Sequence, residues 1–328
     1  MKKEYIILLL IIAALGGYLF MKQTDKTHYT LPDLAVIKSN VITGIELNGP
    51  KGQIKFSKDD DQWVVTDNKY KADQGKVDEM LDAIRHLKAT ALVSQTEDRN
   101  RYHLDKAQRI AVSATSSKGL EREFFLGKEA PTFNHTFISL ADDSHVYHAK
   151  GSFKRHFDKD LMEYRDKTVF TVNEKEISTL ALTKEGISKT LTRTVKNSAS
   201  EVKTDSKTGG ANAAENADKE EKPVWTISEG SLANPDFADS IAGNLVKVEC
   251  DNFLDDAKKQ ELEEKDPLFT IMLNTTDYLK VYEKTDDSKY PALSSTSLEA
   301  FELSSRTGEN FISDIDKILE IKKDEENQ

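Results

Sequence analysis

Cysteine is almost absent from this chain of 328 residues, which contains Cys250 alone. One thiol excludes an internal disulfide, a zinc site built from four cysteines and a redox-active Cys-x-x-Cys pair. Basic residues are in deficit, because 57 Asp and Glu against 46 Lys and Arg leave a net charge of -11. A surface with that excess repels phosphate backbones, so the composition argues against nucleic-acid binding.

Sequence motifs of catalysis are missing as well. The chain has no G-x-S-x-G nucleophile motif, no G-x-x-x-x-G-K-[ST] phosphate loop, no H-E-x-x-H zinc motif and no D-x-[DN]-x-[DN]-G calcium loop. We therefore predict no catalytic residue, no cofactor-binding residue and no metal ligand. Aspartate pairs do occur, but they fall where hairpin turns are expected, and Asp is favoured in turns. They are Asp59 to Asp61, Asp142 with Asp143, Asp255 with Asp256, and Asp286 with Asp287.

Four histidines lie within one short stretch, and neutral imidazoles are common metal ligands. Residues 145–148 (HVYH) are typical of a strand, in which residues three apart point to opposite faces. This spacing favours scattered surface histidines over a metal site. The four are His135, His145, His148 and His156.

A long apolar run lies near the N-terminus, where residues 5–21 (YIILLLIIAALGGYLFM) carry no charge. A helix of that length covers about 25 Å, the short end of what spans a bilayer. Neither an A-x-A-like cleavage site nor a cysteine follows the run, which favours an uncleaved anchor over a signal peptide or a buried core helix. We expect a single-pass protein of the bacterial cytoplasmic membrane, with a cytoplasmic N-terminus and an extracytoplasmic body.

An internal duplication is indicated by a shift of 161 residues. It places residues 72–94 on 233–255 and residues 104–115 on 265–276, and the apolar positions agree along both stretches. A slip of one residue upstream then makes the only two tryptophans, Trp63 and Trp225, equivalent. Their equivalence favours core packing over stacking against a sugar.

Local patterns predict the elements of each copy. Short alternating runs joined by turns predict strands, and the apolar spacing after Asp73 predicts an amphipathic helix to about Lys88. In the second copy Asn234 takes the cap position and Pro235 the first helical position. The predicted fold class is α+β, with an N-terminal transmembrane helix followed by two similar antiparallel-sheet-plus-helix units.

The repeat also fixes the expected domain boundaries. Residues 197–222 contain no large apolar residue beyond Val202, and by register they occupy a hairpin turn, so we expect a disordered insertion there. The predicted domains are a membrane anchor (1–21), a tether (22–40), a first α+β unit (41–170), a second α+β unit (171–322) and a polar tail (323–328).

The order of these segments resembles the bacterial domain-of-unknown-function family 4340 over most of residues 40–322. The first copy matches better than the second, in which the hairpin insertion departs from the usual pattern. Another departure is His103-Leu104-Asp105-Lys106 in place of a GLDP-like turn, whereas the second copy keeps Asp266-Pro267. The resemblance is carried by ITGIELNGPKGQIKFSKDDDQWVVT (42–66), YKADQGKVDEMLDAIRHLKATALVS (70–94), YHLDKAQRIAVSAT (102–115), FFLGKEAP (124–131), HVYHA (145–149) and FDKDLMEYRDKTVF (157–170).

Members of that family are envelope-facing membrane proteins without an assigned activity. Some are similar in context to accessory components of gliding-motility-type ABC transporters. The resemblance implies no catalytic residue, so we expect a non-catalytic interaction module whose partner is another membrane or envelope protein, with ABC-transporter subunits as candidates. The alternatives are an extracytoplasmic hydrolase, with Asp73, Asp105 and Asp266 in a cleft between the units, and a glycan-binding module on the tryptophan strands.

Overall fold

The computed structural model describes Tyr5 and residues 11–18, 29–38, 40–66, 68–96, 98–132, 134–194, 224–227 and 235–320. The chain divides into two compact units, unit 1 (Met1–Asp166) and unit 2 (Lys167–Gln328). Each consists mainly of antiparallel sheet with a few helices. The predicted insertion at 197–222 and the tail at 323–328 lie outside the described residues, as does the predicted cap Asn234.

Unit 1 contains a nine-stranded antiparallel sheet in the order β4-β3-β2-β1-β6-β7-β8-β9-β5. Its strands are β1 (Gly44–Gly49), β2 (Gly52–Asp59), β3 (Gln62–Val65), β4 (Tyr70–Lys71), β5 (Ala89–Ser94), β6 (Ile110–Ser116), β7 (Gly119–Glu129), β8 (His135–Leu140) and β9 (Val146–Lys150). Its helices are α1 (Gln74–Arg85), α2 (Lys154–Phe157) and α3 (Leu161–Tyr164), with a 3-10 turn at Asn100–Tyr102.

Unit 2 contains an eight-stranded antiparallel sheet in the order β13-β12-β11-β16-β17-β18-β19-β15, and β10 pairs separately with β14. Its first strands are β10 (Thr168–Thr171), β11 (Thr179–Lys184), β12 (Ile187–Thr194), β13 (Val224–Ile227), β14 (Lys247–Glu249) and β15 (Asn252–Phe253). The remaining strands are β16 (Phe269–Leu273), β17 (Asp277–Val281), β18 (Tyr290–Ser294) and β19 (Phe301–Leu303). Its helices are α4 (Pro235–Leu245), α5 (Asp256–Glu263) and α6 (Ser305–Leu319), with a 3-10 turn at Glu174–Glu176.

From β3 onward, the strand order of unit 1 is repeated in unit 2, and the residues equivalent to β4, 231 and 232, lie outside the described residues. In the main sheet of each unit, the third strand in chain order carries a buried tryptophan, Trp63 on β3 and Trp225 on β13, and a helix follows. Alternation of apolar and polar residues places one face of each sheet against a helix, where the main core of that unit lies. Helix α1 begins after its cap Asp73 and buries Val77, Met80, Leu81 and Ile84 at helical spacing.

The predicted transmembrane anchor over residues 1–21 is wrong. Within the described ranges, no helix combines the length and the apolar character that crossing a membrane requires. The predictions that depended on the anchor are wrong with it: the transmembrane part of the fold class, the signal anchor, and the single-pass localisation with its extracytoplasmic body in the cell envelope.

The apolar spacing of Phe153, Phe157 and Leu161 predicts one helix at the end of unit 1, and the structure differs from this prediction. The structure has two one-turn helices, α2 and α3, separated by Asp158 to Asp160. Asp160 and Glu163 form a capping box that starts α3 afresh. In unit 2 the corresponding helix is the fifteen-residue α6, which packs against α4.

Candidate functional site

Residues 31–38, which we call the arm, immediately precede the first sheet of unit 1. Leu31, Leu34 and Ile37 pack against the main core of this unit. Residues 29–38 are all described, and none of them belongs to a strand. The arm is therefore held by side chains rather than by a backbone ladder.

Two arginines fix the arm. Arg122 of β7 donates hydrogen bonds to the carbonyl oxygens of Ala35 and Ile84 and, at 3.2 Å, to that of Arg85. The Arg85 side chain in turn donates its Nε to the carbonyl of Ile37 at 2.9 Å. Burial lowers the pKa of the Arg122 guanidinium, but arginine stays protonated at neutral pH. A single cation thus joins the arm to the end of α1.

A groove of about 780 Å³ runs beside the arm, and we call it the arm groove. Its volume falls in the range of ligand-binding clefts. Val36 and Leu120 on its walls are 66% and 61% exposed, which is high for large apolar side chains. The lining consists of Asp33 to Lys38 and Val41 from the arm side, Leu120 to Glu123 from β7, and Leu140 to Asp143 after β8.

The position in unit 2 that is equivalent to the arm groove is buried. Leu47 lies opposite Val112, and Leu180 lies opposite Leu273, which is the equivalent of Val112 in the repeat. Leu47 and Leu180 are therefore equivalent. When the residues before them are aligned without a gap, Val36 is the equivalent of Val169 in β10. Val169 is only 2% exposed. Strand β10 pairs with β14, and Val169 lies at the register shift of that ladder.

Two hydroxyl groups complete the closure in unit 2. Ser294 and Thr296 donate to the carbonyl oxygen of Val169 at 2.6 and 2.9 Å. The register of β7 against β8, and of β17 against β18, makes Ile138 the counterpart of Ser294. Two residues further on, Leu140 is the counterpart of Thr296. Leucine and isoleucine side chains cannot donate a hydrogen bond, so unit 1 cannot tie its arm down in this way.

The hairpin of β6 and β7 supplies the remaining wall. In unit 1 it extends to a turn between Ser116 and Gly119, so residues 120–123 lie beyond the part of β7 that pairs with β8, and they line the groove. In unit 2 the matching hairpin turns earlier, at Asn274. The Asn274 side chain accepts from the backbone of Ser178 and Thr179 and holds the preceding segment directly. Among the described residues, hairpin length and side-chain chemistry therefore differ between the two units at this place.

Asp143 lies at the end of the arm groove in a fixed network. Tyr147 donates its hydroxyl to one carboxylate oxygen at 2.5 Å, and the backbone and Nδ1 of His145 bind the other. Burial alone would raise the pKa of Asp143, but these hydrogen bonds outweigh it and the pKa is lowered. Burial, followed by the bond to Asp143, raises the pKa of Tyr147 to about 12. Both oxygens of Asp143 are therefore occupied in shaping this end of the groove.

The four histidines are dispersed over different partners. The rings of His135 and His148 lie 5.8 Å apart on neighbouring strands, while His145 binds Asp143. His156 accepts from Arg155 at 2.8 Å, so its Nδ1 is the nitrogen that donates to Glu79 at 2.9 Å. Among the described residues, no group of three or more His, Cys, Asp or Glu side chains could hold a metal ion.

A second cleft, of about 550 Å³, lies along the exposed face of α1. Asp78, Glu79 and Asp82 line one side, and Lys150 and Arg155 line the other. Asp82 is paired with His86 at 3.0 Å, and Glu79 with His156. Asp82 and Glu79 thus each contact a histidine of the same cleft, and we interpret the cleft as a solvated helix face.

The acids named for the hydrolase alternative lie in local structural roles. Asp73 caps α1 by accepting from the backbone of Lys76 at 3.2 Å. Asp105 accepts from the backbone of Ala107 at 3.0 Å, in the turn before β6. Asp266 is an exposed residue of unit 2 between α5 and β16. Within unit 1, Asp73 and Asp105 lie at the starts of different segments, and neither lines the arm groove.

Replacing Asp73 by alanine should lower the free energy of unfolding of unit 1 by about 1 kcal/mol near pH 7. Burial opposes ionisation of Asp73, but hydrogen bonds from the side chain and backbone of Lys76 prevail and lower its pKa below the usual 3.8. The stabilisation is therefore present above that ordinary pKa and disappears as the pH falls through the lowered value. Urea unfolding of a Trp225→Phe background, followed through Trp63, measures the loss at each pH.

Asp78→Ala on the same helix is the control for this substitution. Asp78 is exposed and accepts only from the Gln74 side chain at 3.1 Å, so its removal should leave the stability near the parent value. An Asp73→Ala loss that stays constant down to about pH 3 would contradict the capping role.

Both tryptophans are buried in the cores of their units. Trp225 donates its indole N–H to Asp239 at 2.7 Å, which satisfies its single donor. Neither ring offers an exposed platform for a sugar, and core packing is the role that the structure gives them.

Sequence reasoning missed the arm, which fell within the predicted tether. A signal was present, because Leu31, Leu34 and Ile37 recur every three residues. The partner Arg122 is distant in sequence, and nothing in the local pattern of β7 marks it as a ligand of backbone carbonyls.

Comparison with known proteins gives one match. No curated protein and no solved structure matches the chain. The model of the family described as a domain of unknown function, DUF4340, matches residues 63–267 and confirms the resemblance seen in the sequence. Because this match covers more than half of the chain, the protein belongs to the DUF4340 family.

Proposed function

We propose that this protein is a non-catalytic interaction module that binds a partner protein in the arm groove of unit 1. The observation that carries the proposal is that the groove is open, with Val36 and Leu120 exposed, where the equivalent position of unit 2 is closed around Val169. The two units share one strand order but differ at this position. The exposure of Val36 in unit 1 is therefore not imposed by the fold, because the equivalent Val169 in unit 2 is buried.

The chemistry of the lining supports binding rather than catalysis. The guanidinium of Arg122 is occupied by backbone carbonyls, and both carboxylate oxygens of Asp143 are occupied by His145 and Tyr147. None of the described residues that line the groove is a cysteine, serine or histidine, so these residues offer no nucleophile–base pair of the usual kind. Exposed apolar side chains beside a polar rim are instead typical of protein-binding surfaces.

The identity of the partner is a separate question. The family resemblance suggests an accessory role beside an ABC transporter, and this role stays a prediction. The groove itself requires only a protein segment that can cover Val36 and Leu120.

Removing the two exposed apolar side chains should abolish partner capture without unfolding the chain. We expect the Val36→Ser and Leu120→Ser double variant to recover at least tenfold less of a co-purifying protein than the wild type. A loss of about 1.4 kcal/mol in binding free energy already gives a factor of ten. The measurement is quantitative affinity capture from the source cells, followed by mass spectrometry.

Leu298→Ser is the matched control, because Leu298 is 89% exposed in unit 2 and far from any lining residue in sequence. It should capture the same proteins as the wild type. Equal recovery by the wild type and by the Val36→Ser, Leu120→Ser variant would contradict the assignment of the arm groove as the binding surface.

A further inference from the structure

We infer that the occupant of the arm groove is an extended peptide segment of a partner protein in which Lys or Arg alternates with apolar residues. This inference rests on the proposed function and adds the chemistry of the bound segment. It follows from the charge of the lining, from the exposed apolar pair and from the conformation of the arm.

The charge of the lining favours a cationic ligand. Among the ionisable residues that line the groove, five are acidic and two, Lys38 and Arg122, are basic. The cation of Arg122 is directed at the carbonyls of the arm and of α1, so it offers little to a ligand. Charges within about 10 Å of a ligand act on it with little screening at 0.1 M salt. The acidic excess therefore attracts basic side chains and repels acidic ones.

The acidic side chains of the lining attract a basic ligand electrostatically. Glu121 is exposed at the register shift of β7 against β6, and Glu123 is half-buried. Asp33 and Asp142 are exposed at the arm and at the end of β8. A basic side chain pointing away from the groove floor would meet this acidic rim.

The apolar pair sets the spacing of the ligand. Val36 stands on the arm and Leu120 on β7, so apolar groups line both walls of one cavity. Alternate side chains of an extended segment point to opposite sides. One set can cover Val36 and Leu120 while the other set carries the positive charges to the rim.

The extended conformation is favoured by the backbone of the arm. In unit 2 the equivalent segment β10 forms a ladder with β14. None of the described residues of the arm in unit 1 belongs to a ladder. An added strand is a common way for a peptide to bind such a backbone, since main-chain hydrogen bonds give affinity and alternate pockets give specificity.

The test uses the full chain and three labelled peptides: Lys-Val-Lys-Leu-Lys-Val-Lys, its glutamine analogue and its glutamate analogue. Fluorescence anisotropy at about 50 and 200 mM salt measures their dissociation constants. At low salt, we expect the lysine peptide to bind at least tenfold more tightly than the glutamine peptide, and the glutamate peptide to bind weakest. At high salt, the lysine peptide should lose much of this advantage.

Two variants connect this binding to the groove. Glu121→Gln combined with Asp142→Asn should remove most of the preference for lysine, whereas the matched change Glu263→Gln with Glu264→Gln on exposed acids of unit 2 should leave it intact. Val36→Ser with Leu120→Ser should weaken the lysine peptide at least tenfold, as measured by the same assay.

The outcomes separate the inference from the proposed function. If the glutamine and lysine peptides bind equally and both depend on Val36 and Leu120, the groove binds peptides but the basic ligand is refuted. If the lysine peptide binds the wild type and the Val36→Ser, Leu120→Ser variant equally, the inference is refuted as well, because the attraction comes from the charge of the whole chain. Lack of binding by any peptide also refutes it, while affinity capture then decides the proposed function separately.

Discussion

Replacing Lys184 by methionine is expected to lower the free energy of unfolding of unit 2 by about 3–5 kcal/mol. Lys184 at the end of β11 and Asp316 on α6 form an ion pair with 2.5 Å between Nζ and Oδ1. Both side chains are almost fully buried. Methionine keeps the volume of the aliphatic stem but leaves the Asp316 carboxylate in the interior without its counter-charge, and removing one member of a buried pair carries this large cost.

Each unit contains one tryptophan, which makes the effect measurable unit by unit. In a Trp63→Phe background, the fluorescence of Trp225 follows the urea unfolding of unit 2 alone. The double variant Lys184→Met with Asp316→Leu is the control, because it removes both charges and should recover most of the loss. A single-variant loss below about 1 kcal/mol would show that the pair is solvated and that α6 is not anchored by it.

Gly308→Ala is expected to destabilise unit 2 by about 1–3 kcal/mol, although alanine is the better helix former. Gly308 lies in α6 directly against the ring of the buried Tyr290 on β18. An added Cβ would lie 2.7 Å from the ring atoms Cγ and Cε2 and closer still to Cδ2, so the helix or the ring must move. Urea unfolding followed through Trp225 measures the loss.

Gly243→Ala on α4 is the matched control for this prediction. Gly243 is an exposed helical glycine whose added Cβ would meet nothing within 4 Å. Alanine there should stabilise unit 2 by about 0.5–1 kcal/mol through its helix propensity. If both substitutions stabilise the unit by similar amounts, the close packing of α6 on β18 is wrong.

The sequence was informative where structure depends on neighbouring residues. Asp73 followed by apolar residues at helical spacing was enough to place α1, and alternation placed β1, β2 and β3. Pro235 begins α4 as its fixed φ angle predicts. These features could be predicted because each depends on a local conformational preference.

Two features could not be predicted in this way. Hydropathy reported the apolar composition of residues 5–21, but within the described residues no helix is long and apolar enough to cross a membrane. The arm groove depends on contacts between distant residues, such as Arg122 with Ala35. The exchange of Thr296 for Leu140 becomes visible only when the register of the strands is known.

Site-specific photo-cross-linking tests the central claim most directly. A photoreactive amino acid is placed at position 120 on the wall of the arm groove, and in a second protein at the exposed position 298 of unit 2. Irradiation of source cells producing each protein should yield a discrete cross-linked partner from position 120 and none of that species from position 298. The same partner captured equally from both positions, or captured from position 298 alone, would contradict binding in the arm groove.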